Sequence, residues 1–121
     1  WFHYAFQPHA RYDSVSAMKF GVESTEPLTV LPAAGNAPKS PRLRIEPASV
    51  LATVLKPSDD GQALIVRLFN ASSKTASARL IWSEKPKAVF WSDASEQPLQ
   101  SVEDAVKISG WDLVTLRAEL P

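Results

Sequence analysis

The chain has 121 residues, enough for one domain or for part of a larger one, and 45% of them are hydrophobic, which is enough to build a buried core. Thirteen basic and thirteen acidic residues cancel, so there is no electrostatic case for nucleic acid or an anionic membrane as partner. The lack of cysteine excludes a disulfide framework and a thiolate metal site, and no apolar run approaches the roughly 20 residues of a membrane-spanning helix.

The chain opens with Trp1-Phe2-His3-Tyr4-Ala5-Phe6. Alternation predicts a strand over 1–7, stopped by Pro8, with Phe2, Tyr4 and Phe6 on one face. An aromatic strand with nothing before it reads as a fragment cut inside a larger protein. Residues 13–23 are the best helix: Asp13 or Ser14 caps it, and Val15, Met18 and Val22 share a face. Leu28 to Leu31 reads as a short strand between Pro27 and Pro32. The Pro-rich stretch 32–41 has the composition of a loop, and a boundary falls there. Residues 1–31 are thus expected to end a larger β domain, as strand, short helix and strand.

From 42 to 121 the pattern is strands. Leu43 to Ile45 is short. Ser49 to Lys56 is apolar on both faces, the signature of a central strand, and so is Gln62 to Asn70, where only Arg67 interrupts. Asp60-Gly61 supplies the turn between them. An arginine in a central strand needs a sheet edge, a domain face or a carboxylate. Ala76 to Trp82 alternates, and Ala88 to Trp91 is a short aromatic strand. Ala105 to Ile108 and Trp111 to Leu120 read as a hairpin around Ser109-Gly110, with Thr115, Arg117 and Glu119 facing out. Strands at this spacing predict an all-β chain, an antiparallel β-sandwich with one short helix near the N-terminus.

No catalytic constellation stands out. His3 and His9 lack the further ligands that zinc requires, so no metal site is expected. Asp59-Asp60 lacks the ligand pattern of a calcium loop and reads as a solvated turn; Glu103-Asp104 reads likewise. No Gly-x-Ser-x-Gly elbow or phosphate loop occurs, and no carboxylate pair is marked out for glycoside chemistry. Asn70-Ala71-Ser72 is a formal glycosylation sequon. Among Trp82, Trp91 and Trp111, Trp91 is the candidate carbohydrate-stacking residue, because it ends a strand beside the polar stretch Ser92-Asp93-Ala94-Ser95-Glu96.

Several segments carry a family resemblance. Leu55-Lys56, then Asp59-Asp60-Gly61, then Leu64-Ile65-Val66-Arg67-Leu68-Phe69-Asn70 resemble one continuous segment of the C-terminal β-sandwich region of glycoside hydrolase family 38, the α-mannosidases. Phe2-His3-Tyr4-Ala5-Phe6-Gln7-Pro8-His9, Glu26-Pro27-Leu28, the stretch Ile45 to Lys56, and Trp111-Asp112-Leu113-Val114-Thr115-Leu116-Arg117 resemble other parts of that region in the same order. The resemblance implies a parent that hydrolyses α-mannosidic bonds with retention. Its Asp nucleophile and catalytic zinc lie in an N-terminal α/β domain. No part of that domain is present here, so no catalytic residue and no cofactor are assigned to this chain; the implied zinc belongs to the parent. The implied role is structural: the chain packs on the catalytic domain, its partner, and helps frame the substrate entrance. The alternatives are an independent carbohydrate-binding β-sandwich and a structural interaction domain.

Overall fold

The structure, a computed structural model, describes residues 1–26, 28–30, 32, 35 and 40–121. The chain divides into two compact units, residues 1–38 and 39–121.

In the first unit the helix α1 spans Ser14–Thr25. Asp13 caps it: its carboxylate accepts the Ser16 N–H at 2.9 Å and the Ser16 hydroxyl at 2.6 Å. The helix runs past Gly21, whose intrinsic cost of about 1 kcal/mol is too small to end it. It stops where the Glu26 N–H bonds Val22 O at 2.8 Å. Residues 1–7 form no strand, contrary to the sequence expectation, and Phe2, Tyr4 and Phe6 are 80–88% exposed. A strand exists only through a partner backbone, and none pairs with this segment among the described residues. Residues 28–30 are likewise outside any strand; position 31 and most of 32–41 lie outside the described residues.

The second unit is an antiparallel β-sandwich of eight strands: β1 (Leu43–Glu46), β2 (Val50–Pro57), β3 (Ala63–Asn70), β4 (Ala76–Trp82), β5 (Ala88–Ser92), β6 (Pro98–Ser101), β7 (Val106–Ile108) and β8 (Leu113–Glu119). A short sheet has the order β1-β4-β7, and a long sheet the order β2-β3-β8-β5-β6. A cis Glu46–Pro47 bond lies where the chain passes from the short sheet to the long one. Between the sheets, Val66 and Leu68 of β3, Ala76 and Ala78 of β4, Val106 and Ile108 of β7, and Leu116 of β8 form the core.

Three strand assignments change. First, β2 is an edge strand, not a central one, and it is exposed along most of its length. A bulge between Ala52 and Val54 shifts its register against β3, so one continuous alternation does not describe its faces. Second, β7 and β8 are not a hairpin. β7 pairs with β4 and β8 with β3 and β5, so Ser109-Gly110 crosses between sheets. Third, β6 is a strand that its polar sequence did not announce. β3 is central as expected, with Leu64, Val66 and Leu68 at 0–7% exposure.

The crossing at Gly110 is tied to β3 by Asn70, a fully buried amide. Its Nδ2 donates to Lys74 O at 2.8 Å, Ser109 O at 3.0 Å and Ile108 O at 3.1 Å. Its Oδ1 accepts from the Ser72 N–H and hydroxyl. The sequon asparagine is therefore a cross-sheet bolt whose amide nitrogen is wholly engaged. Gly110 must be glycine because a Cβ there would lie 2.3 Å from Ser73 O.

Leu68→Ala is expected to cost about 2–5 kcal/mol, the range for truncating a buried leucine. Denaturant titration checks this, and a loss under about 1 kcal/mol would place the side chain at the surface. Asn70→Ala removes the amide donor shared by Lys74 O, Ile108 O and Ser109 O and the side-chain acceptor of the Ser72 N–H, and is expected to cost about 2–4 kcal/mol. An unchanged denaturation midpoint would show that the amide bonds are dispensable.

Candidate functional site

The β2–β3 turn folds on itself before it meets anything else. Gly61 takes φ +72°, which a non-glycine residue adopts only at a cost. Ser58 is buried; its hydroxyl donates to Asp60 Oδ1 at 2.6 Å and accepts the Ala63 N–H at 2.9 Å. Asp60 Oδ1 also accepts the Gln62 N–H at 3.0 Å. The second carboxylate oxygen is left pointing to β8, where Arg117 Nη2 donates to it at 2.7 Å.

Arg117 lies on the outer face of the long sheet, between Ile65 of β3 and Phe90 of β5 in register. The sequence pattern places it outward, and outward it is, but it is only 7% exposed. The β2–β3 turn and the β5–β6 loop reach over it. From that loop Glu96 O accepts Arg117 Nη1 at 3.1 Å. Glu96 holds φ +62°, a left-handed conformation that costs a non-glycine residue about 1 kcal/mol or more. Its carboxylate accepts the Asp59 N–H at 2.8 Å and pairs with Lys56 Nζ, which also meets Asp59 Oδ1 at 2.9 Å. Lys56, Asp59, Asp60, Glu96 and Arg117 thus form one clamp that joins turn, loop and strand.

The clamp sets its own electrostatics. The Ser58 hydroxyl bond, the Gln62 N–H and then Arg117 hold the Asp60 carboxyl well below the usual carboxylate range. Bonds to Glu96, and then to Asp59, push the Lys56 ammonium up. Asp59-Asp60 is no free acid pair, since both carboxylates are occupied by cations of the same domain. What the arrangement does is hold two loops at fixed positions over the sheet.

Trp91 is half-buried and packs against the core, opposite Leu116 in register, so the side chain nearest the polar loop serves the sandwich interior. The loop beside it is ordered by Asp93, whose carboxylate takes the Ser95 hydroxyl at 2.6 Å and the Ser95 N–H at 2.9 Å. His3 is exposed, and His9 lies edge-on to Tyr12 with centroids 6.5 Å apart. Among the described residues no three His, Asp or Glu side chains gather as a metal site. Sequence reasoning found the Asp60-Gly61 turn and missed Glu96 and Arg117, because only the folded chain brings them to it.

The family model described as the glycosyl hydrolases family 38 C-terminal beta sandwich domain matches residues 49–116. The chain belongs to this family. Comparison with curated proteins and with solved structures finds no match to either. The family 38 match runs from the start of β2 to Leu116 in β8, and so takes in Lys56, Asp59, Asp60 and Glu96 of the clamp and stops one residue before Arg117. It makes this sandwich a non-catalytic domain associated with a glycosidase.

The family 38 sandwich is expected to lose stability in acid through Asp60. Its folded carboxyl titrates below the ordinary value near 3.8. Its contribution is therefore complete above that value and is lost as pH falls through the folded value. Thermal melts of the chain and of Asp60→Asn should differ clearly at pH 7 and draw together progressively as the pH falls below 3.8 toward the folded value. A difference that persists unchanged in acid would show that the carboxylate charge is not what matters.

Proposed function

We propose that this chain is the C-terminal β-sandwich portion of an α-mannosidase-like glycoside hydrolase, which packs on the catalytic domain and helps frame its substrate entrance. The observation that carries the reading is the family match over 49–116. The zinc and the nucleophile of such an enzyme belong to the catalytic domain. This chain contributes a rigid scaffold and two loops pinned by the clamp.

The outer face of the long sheet supports a packing role. Arg67 stands on central strand β3 with its Nε donating to Thr115 Oγ1 at 3.4 Å, and it has no carboxylate partner among the described residues. Of the three environments a strand arginine requires, a domain face is the one that fits. In the adjoining row Leu51 and Phe69 are half-buried and Leu113 is 49% exposed. Such a mix of apolar area and one unpaired cation suits contact with a second domain.

The purified chain is expected to release no aryl product from an activated aryl α-mannoside, with or without added zinc. Turnover above the buffer blank would overturn the assignment of chemistry to another domain. The coding sequence is expected to continue upstream into a catalytic domain, and a free-standing gene would overturn the docking role.

A further inference from the structure

β7 has three residues and covers only Ala76 to Ala78 of β4. The remainder of β4, Arg79 to Trp82, has a strand partner on the β1 side alone. Where the short sheet is thus incomplete, a cleft of about 340 Å³ opens between β4, β5 and the β6–β7 connection. Its walls carry Leu80, Trp82, Val89 and Val102, all partly buried against the core. Lys85, Lys87, Glu103 and Asp104 line the same space. Two cations and two anions share one cleft, yet none of these four side chains forms an ion pair or a side-chain hydrogen bond among the described residues. Elsewhere in the domain the charged groups of the clamp are spent on each other.

We propose that this cleft binds a neutral pyranose, with the apolar face of the sugar ring against the Trp82 indole. The inference rests on the carbohydrate reading above and gives it a location. An aromatic wall offers area to the C–H face of a sugar. Carboxylates accept from hydroxyls and ammonium groups donate to them, so a rim with both signs satisfies a polyol in every direction. A phosphate or other anion would meet Glu103 and Asp104 as well as the lysines, and a wholly apolar ligand would make no use of the four exposed polar side chains at the rim. The volume is at the small end of the roughly 300–1,000 Å³ usual for ligand clefts, which suits a mono- or disaccharide.

Amide chemical shifts of the whole chain, titrated with methyl α-mannoside and with an α-linked mannobiose, test this. Saturable shifts confined to residues 80–89 and 101–104 are expected. The double variant Glu103→Gln with Asp104→Asn, both at exposed positions, should keep the spectrum of the folded chain and bind about tenfold more weakly. Trp82→Leu should abolish binding, and its own amide spectrum reports whether it folds. The proposal is overturned by an absence of shifts up to about 50 mM sugar, by shifts centred on Trp91 or Trp111, by unchanged affinity in the double variant, or by tighter binding of glucose 6-phosphate than of methyl α-mannoside. An upstream catalytic domain with no sugar in the cleft would sink this site and leave the proposed function standing. Sugar binding by a chain encoded alone would do the reverse.

Discussion

The sandwich depends on how its two sheets are fastened at the end where β3 leaves one and β7 leaves the other. Asn70 does this with a single buried amide that serves carbonyls of the β3–β4 turn and of the β7–β8 crossing. Apolar contacts between the sheets are strong but carry little direction. A buried amide is directional, and it fits only if every acceptor is in place. Backbone bonds reinforce it: Asn70 N–H to Asp112 O, Ala71 N–H to Ser49 O and Trp111 N–H to Ser72 O. The close approach of Gly110 to Ser73 is the steric counterpart of the same fastening.

At the other end of β3 the same logic appears with charge in place of an amide. Arg117 is buried, with 7% exposure, and its partners come from two loops rather than from the sheet. Removing one side of such a group leaves the other uncompensated, so the loops and the strand stand or fall together. The two devices bracket β3 and β8, which share the longest unbroken register among the described residues.

Local chemistry was legible in the sequence. Asp60-Gly61 marks a turn by its own backbone preferences, the β4 alternation marks its faces, and Asp13 marks a helix start. The antiparallel sandwich followed from strand spacing. What was not legible depends on segments far apart in the chain. The Asp60–Arg117 pair spans 57 positions and the Asn70–Ile108 bond spans 38, and no local pattern encodes either. β2 misled because an apolar edge strand and an apolar central strand look alike until the neighbour count is known. Ser109-Gly110 misled for a related reason: glycine there meets a steric demand from Ser73, not the demand of a tight turn.

The irregular edge of the long sheet has a consequence for how this domain meets other molecules. An open strand edge invites another chain to add itself by backbone pairing. On β2 the bulge at Ala52/Val54 breaks the run of evenly spaced donors and acceptors, and Lys56 and Pro57 close its far end with a charge and a missing N–H. The opposite edge, β6, is four residues long and begins with Pro98. Neither edge of the long sheet offers a template of useful length, so copies of the domain are kept from zipping together along that sheet. Association is left to faces and clefts, where shape and charge decide the partner.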